Sequence, residues 1–277
     1  TRPIPASTST PCGLLPTASI RSEAPITPWS PPTAGPQDLA QWTLIDLAPT
    51  YNASVTEVLQ RLVDTAVAPE LPAMQVGFGY WKDHLTQYHG SRNQPISDAA
   101  WRAKIDGTGV GWTTDGIPFS SPKEGPNIGV VTRAGGFPES LTVPARVSGS
   151  RLFLMLSGMT FPAQSGVVNL RVSLAYKDGQ RIARDLANPT GIGDCWSTWC
   201  GRFHDTAANG FENIGGRTGP AGSSEVKDLT RPVALDTEAQ LLSLELRHDA
   251  ELESVTLEAV ANDVVFGIMG ASVLRQN

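Results

Sequence analysis

VNLRVSLAYKDGQRIARDL, residues 168–186, is the stretch from which the fold can be read. Leu170, Val172 and Leu174 alternate with Arg171 and Ser173, and a repeat of two residues places apolar side chains on one face of a strand and polar ones on the other. Lys177-Asp178-Gly179-Gln180 breaks the alternation, and its Asp-Gly pair is favoured in a type I′ hairpin turn. The reading is therefore two antiparallel strands, Val168 to Tyr176 and Arg181 to Leu186, joined by a tight turn.

The same signal extends outward on both sides. Leu242-Ser243-Leu244-Glu245-Leu246 alternates in the same way, within the run Leu241 to Leu246. Further strand runs are Ile128 to Thr132, Leu141 to Val147, Leu152 to Leu156, Val255 to Val260 and Val264 to Val273. Short strands separated by turns predict a mainly β fold, an antiparallel jelly-roll-like β-sandwich over residues 127–277. Composition agrees: 27 Gly and 22 Pro among 277 residues, with 17% charged residues, suit many turns, and 40% apolar residues suffice for a core.

Two segments precede the sandwich. Residues 1–41 are rich in Pro, Ser and Thr, carry Pro31-Pro32 and show no periodicity, which predicts an arm or linker with no core of its own. Residues 42–126 are expected to supply one peripheral helix and aromatic loops packing on the sandwich or on a partner. Ser54 and Glu57 have capping-box spacing, and Val55, Val58, Leu59, Leu62 and Val63 share a helical face, predicting a helix over 54–67 that stops before Pro69. Glu57 is thereby a capping residue rather than a catalytic acid. Phe78, Tyr80, Trp81, His84, Tyr88, His89, Trp101 and Trp112 mark a long loop region that either carries function or covers another surface.

A net charge of −6 and the absence of any Lys/Arg cluster argue against a nucleic-acid partner, which needs cations against phosphate. No uninterrupted apolar window is long enough to span a bilayer, so no membrane partner is expected either. The chain begins at Thr1, which reads as a processed form or a piece of a longer protein, and Asn52-Ala53-Ser54 is an N-glycosylation triplet. Together these suggest a secreted, extracellular protein.

The best candidate for a site is the Gly-rich insertion Asn188 to Ser224. Trp196 or Trp199 could stack on the C–H face of a sugar ring while Asp194, Arg202 and His204 bond its hydroxyls; equally, both rings could plug one end of the sandwich. Cys195 and Cys200 lie close enough to close a small disulfide loop or to stand as two reduced thiols, leaving Cys12 for linkage elsewhere. Glycosidic hydrolysis normally uses two opposed carboxyl groups; Asp115, Asp194, Asp205 and Glu212 are available in loops, where solvated or turn-capping roles are commoner. Ser157-Gly158 and Ser165-Gly166 lack a full nucleophile elbow. His84, His89, His204 and His248 have no zinc-site spacing, and Gly215-Gly216-Arg217-Thr218-Gly219 lacks the lysine of a phosphate loop, so no catalytic residue, metal or cofactor is assigned.

Asp46-Leu47-Ala48-Pro49-Thr50-Tyr51-Asn52, Asp115-Gly116-Ile117-Pro118-Phe119, Asn127-Ile128, Tyr176-Lys177-Asp178-Gly179, Leu186-Ala187-Asn188-Pro189 and Ala261-Asn262-Asp263-Val264-Val265 follow one another along most of the chain. In that order they resemble the β-sandwich region found beside six-hairpin (α/α) glycosidase-like domains in secreted glycan-degrading proteins. The resemblance implies a polysaccharide or glycoside as substrate class. It also implies catalytic acids on a helical toroid that this chain lacks, hence a separate catalytic domain or second chain as partner. Three functions follow: an accessory domain or subunit of a glycoside hydrolase-type enzyme, an independent carbohydrate-binding module, or a stand-alone hydrolase or lyase acting through residues 188–224.

Overall fold

A computed structural model of the chain describes residues 21–22, 38–58, 61–62, 98–113, 115–133, 135–160, 167–187, 230–234, 237–262 and 264–276. In chain order its elements are β1 (Arg21–Ser22), β2 (Trp42–Leu44), α1 (Ala99–Lys104), β3 (Val110–Trp112), β4 (Pro118–Ser120), β5 (Gly129–Thr132) and β6 (Ser140–Val147). They continue with β7 (Arg151–Thr160), β8 (Val168–Tyr176), β9 (Arg181–Ala187), β10 (Thr230–Ala234), β11 (Thr237–Glu245), β12 (Leu252–Ala259) and β13 (Val264–Leu274). The protein is mainly β, with antiparallel sheets consistent with a sandwich. One sheet has the order β1-β9-β8-β12-β6; the other runs β10-β11-β7-β13-β2, with β5 also paired to β13. The two-residue strand β1 joins β9 in parallel.

Side-chain alternation sorts the sandwich into layers. Leu152, Leu154 and Leu156 of β7 enter the core between the sheets together with Leu170, Val172 and Leu174 of β8 and Val255 and Leu257 of β12. The intervening Phe153 and Met155 face the other way, into a second core with Trp42, Val55, Val58, Trp101, Ile117 and Phe119. The described residues between Trp42 and Ile128 thus supply a third layer, laid over the outer face of the second sheet. Because β13 is covered on both faces, its sequence reads as a nearly continuous apolar run.

A β-bulge sets the phase of β13. Its pairing with β7 steps from Ile268↔Leu156 to Gly270↔Met155, so Met269 is the extra residue. Val264, Phe266 and Ile268 face the inter-sheet core before the bulge and Ala271 and Val273 after it, the inversion of parity that one inserted residue produces. Gly270 is required beside the bulge: a Cβ there would stand 2.7–2.8 Å from the Phe119 ring and 2.9 Å from its Cβ.

Several sequence expectations need correction. The Lys177–Gln180 turn is not type I′, since Gly179 has φ +85° while Asp178 does not adopt positive φ. Gly179 N donates to Tyr176 O (2.9 Å) and Tyr176 N to Gln180 O (2.9 Å), a three-residue loop with a glycine bulge. This frees the Asp178 carboxylate to accept from Gln180 N (3.0 Å) and from Arg247 (2.6 Å). The helix expected over 54–67 is entered through a 3₁₀ turn, Val55–Glu57, without a Ser54 side-chain cap; Val58, Arg61 and Leu62 are helical, Val58 and Leu62 are buried, and residues 59–60 and 63–67 lie outside the described residues. Val55 N is instead satisfied by Asn127 Oδ1 at 3.2 Å. A short helix unforeseen from sequence, α1, buries Trp101. The sandwich is not confined to residues 127–277, because Trp42–Leu44 pairs with Ser272–Leu274.

Candidate functional site

Where β13 changes partners, the sheet has an opening. Val265–Ile268 pairs with β5 and Ser272–Leu274 with β2, leaving the stretch around the bulge for other groups to satisfy. Ile45 N donates to Ala271 O at 3.0 Å, and the Tyr51 hydroxyl donates to Met269 O at 3.0 Å. Between them the chain makes a 3₁₀ turn, Ala48–Thr50. Asp46 Oδ1 accepts from Ala48 N (2.9 Å), and Leu47 O accepts from both Thr50 N (2.8 Å) and Thr50 Oγ1 (2.7 Å). Burial, followed by the nearby Asp46 charge, pushes the Tyr51 phenol well above its ordinary pKa, so it stays a proton donor.

This turn forms one wall of a cleft of about 430 Å³. Asp46, Ala48 and Tyr51 face Gly109, Ser120–Pro122 and Pro126. The opposite wall is held by two polar devices. Asp106 Oδ1 accepts from Thr108 N (2.7 Å), Thr108 Oγ1 (2.6 Å) and Val110 N (3.2 Å), bonds that hold its carboxyl below the usual range, the Thr108 hydroxyl contributing most. That loop presents Gly109 O to Ser121 N at 3.0 Å.

The second device is buried. Asp98 Oδ2 accepts from Arg102 Nε (2.8 Å) and Asn127 Nδ2 (2.5 Å), while the Arg102 guanidinium donates to Pro122 O (3.3 Å) and Gly125 O (2.8 Å). Arg102 thus fixes the 122–126 loop from below, and Asn127 links it to Val55. Within the cleft, Ser121 Oγ is buried and lacks a hydrogen-bond partner among the described residues. The result is a rigid surface combining a phenol ring and two proline rings with the exposed Asp46 carboxylate and the Ser120 hydroxyl.

The residues singled out from sequence lie elsewhere. Asp194, Cys195, Trp196, Trp199, Cys200, Arg202 and His204 all fall outside the described residues, as do Cys12, His84, His89, Asp205 and Glu212. Asn52 is described and partly buried: its Nδ2 donates to Val130 O (3.0 Å) and its Oδ1 accepts from Val130 N (2.9 Å). The amide therefore continues the ladder at β5, a structural task that competes with presenting it to a glycosylating enzyme. Asp115 is half-buried in the β3–β4 turn, Ser157 is buried within β7, and His248 is exposed with Nδ1 2.8 Å from Gln276 Nε2. Among the described residues no group of three His, Cys, Asp or Glu side chains could hold a metal ion, and no helix is long and apolar enough to cross a membrane.

Sequence reasoning passed over the cleft residues. Asp46 and Tyr51 stood only within the Asp46–Asn52 motif, whose Asp-x-x-Pro order signals a turn but not what the turn faces. Comparison of the chain with protein families, curated proteins and solved structures found no match in any of the three.

Proposed function

We propose that this protein is a carbohydrate-binding β-sandwich, acting as an accessory domain or subunit of a secreted, extracellular glycoside hydrolase-type enzyme. The observation that carries the proposal is the cleft beside Tyr51. It sets apolar ring surface next to a carboxylate and a hydroxyl on a rigid frame, the combination that receives a sugar's C–H face and its hydroxyls together. Its volume of about 430 Å³ falls in the range of small-ligand sites. The strand orders β6-β12-β8-β9 and β5-β13-β7-β11 also suit a jelly-roll winding, an architecture found in lectins.

Binding is favoured over cleavage at this cleft. Asp46 is the one carboxylate among the described residues that line it, and glycoside hydrolysis normally takes two. The catalytic acids would then belong to a partner domain or second chain.

Titration calorimetry of the purified chain against a panel of oligosaccharides and polysaccharides tests this, with Asp46→Ala and Ser120→Ala beside the parent. Loss of a hydrogen bond to a charged group costs about 1.5–3 kcal/mol, so Asp46→Ala is expected to weaken binding about tenfold or more with the fold intact. Absence of binding across the panel, or binding indifferent to both substitutions, would overturn the assignment of the cleft.

A further inference from the structure

The carboxylate of Asp46 carries a charge that no described side chain pairs with. Asp98, Asp178, Asp185 and Asp249 each lie against an arginine, at 2.6–2.8 Å. Asp106 is held by three donors, Thr108 N, Thr108 Oγ1 and Val110 N. Asp46 is exposed and accepts a single bond, from Ala48 N to Oδ1 (2.9 Å), which leaves Oδ2 without a partner among the described residues.

The cations behind the opposite wall are engaged elsewhere. Arg102 is bound to Asp98, Pro122 O and Gly125 O, and the charge of Lys123 acts on Asp106. Asp46 is therefore the only charged group among the described residues that line the cleft. Its field reaches its neighbour on the same wall, adding to burial in keeping the Tyr51 phenol neutral.

A neutral sugar leaves that charge uncompensated, because its hydroxyls offer the carboxylate little more than the water they displace. An ammonium group brings three donors and an opposite charge, and charge-assisted hydrogen bonds are roughly twice as strong as neutral ones. The same group is attracted to aromatic rings, and Tyr51 lines the wall that carries Asp46. Pro122 and Pro126 still provide apolar surface for the C–H face of the ring that bears the amine. An acetyl group on that amine removes the charge and two of the three donors.

Resting on the carbohydrate-binding reading above, we infer that the cleft selects an amino sugar with a free ammonium group, held by Asp46, over neutral and N-acetylated sugars.

Titration calorimetry of the full chain tests this with tetrasaccharides of glucosamine, N-acetylglucosamine and glucose that share one linkage. The measurements are made at about pH 5.5, above the ordinary carboxylate range and below that of an amine. The glucosamine tetramer should bind about tenfold or more tightly than the other two. Asp46→Asn keeps an Oδ1 acceptor for Ala48 N while removing the charge, and it should bring the affinities together. Asp38→Asn removes the same charge outside the cleft and should leave the ranking unchanged, a control for the net charge of −6. Equal affinity for the glucose and glucosamine tetramers overturns the inference while leaving the cleft a carbohydrate site. A preference that survives in Asp46→Asn, or falls as far in Asp38→Asn, also overturns it, by assigning the attraction to the whole molecule. Binding of none of the tetramers overturns it as well, and the wider panel above then decides whether the cleft takes carbohydrate at all.

Discussion

The Tyr51 hydroxyl donates to the carbonyl of Met269 at 3.0 Å, across 218 positions of sequence. Met269 is the extra residue of the β13 bulge, so a side chain from the third layer caps a backbone acceptor that the sheet cannot pair. Tyr51→Phe should cost about 1–3 kcal/mol, because the carbonyl stays partly buried without its donor. In a chain of this size that lowers the melting temperature by several degrees, readable by calorimetry. The folded-state pKa of Tyr51 is raised, so its contribution is complete below the unfolded value near 10 and is lost only as pH rises through the higher folded value. Absorbance titration should find Tyr51 still protonated where an ordinary phenol has ionised; ionisation at the ordinary value would show that the phenol is not buried beside Asp46.

Gly270→Ala places a methyl group against the Phe119 side chain, which is itself buried. Overpacking of this kind typically costs about 1–3 kcal/mol. Pairing it with Phe119→Leu should recover part of the loss, and chemical denaturation of the two single variants and the double would measure the coupling. Simple additivity would mean that the two positions do not compete for space.

Arg102→Met removes the cation from a carboxylate whose side chain is only 7% exposed. Leaving one partner of a buried pair alone costs about 3–5 kcal/mol, and here the 18% exposure of Arg102 places the loss toward the lower end. The 122–126 loop should also exchange its amides faster, since Pro122 O and Gly125 O lose their donor. A stable variant with unchanged exchange would assign the wall of the cleft to other contacts.

Acid should destabilise the protein through its aspartates. Asp185 is held low chiefly by its hydrogen bond from Arg171, and Asp249 by its hydrogen bond from Arg247. Asp178 is held low first by Gln180 N and then by Arg247. Depressed folded-state values contribute stability that is present above the unfolded aspartate value near 3.9 and is lost as pH falls through the folded values. Thermal melts from neutral pH down to about pH 2 should therefore show a decline below pH 4. Arg247→Gln should flatten part of it; an identical acid profile in that variant would remove Arg247 from the account.

Trp196→Ala and Trp199→Ala separate the two roles read from sequence. A stacking platform lost from a binding hot spot costs about 2 kcal/mol, roughly thirtyfold in glycan affinity, with the fold retained. A core plug costs stability instead. Glycan titrations run beside thermal melts decide between them, and unchanged affinity with a large loss of stability would exclude these rings from binding.

The legible part of the fold was the part with a period. β8 begins and ends where Leu170, Val172 and Leu174 alternate with polar residues, and β12 and β13 were likewise visible because their length lets a pattern develop. β2, β3 and β4 have three residues each, too few to show alternation; β2 is a strand because β13 supplies its partner, and β3 and β4 because they pair with each other. The six residues of α1 carry less than two turns of helical pattern; Trp101 is fixed by the core it enters. Ser54 and Glu57 resembled a capping box, but the Ser54 side chain caps nothing, and the first N–H of the turn, Val55 N, is held by Asn127, distant in sequence. Asp46 and Tyr51 were hidden for the same reason: the acceptor that gives Tyr51 its place is a carbonyl whose lack of a strand partner follows from a bulge far along the chain.

The pairing of Trp42–Leu44 with Ser272–Leu274 carries a consequence for biosynthesis. At about 5–20 residues per second, a ribosome adds the 230 positions that separate Thr43 from its partner Val273 over roughly ten to fifty seconds. From its own synthesis until β13 is made, β7 lacks the neighbour that covers its second edge, and Phe153 and Met155 wait for a layer already made but not yet anchored. The sandwich therefore closes only once β13 has been made, and a nascent chain halted before Val264 would hold apolar strands open to chaperones rather than a partly finished domain.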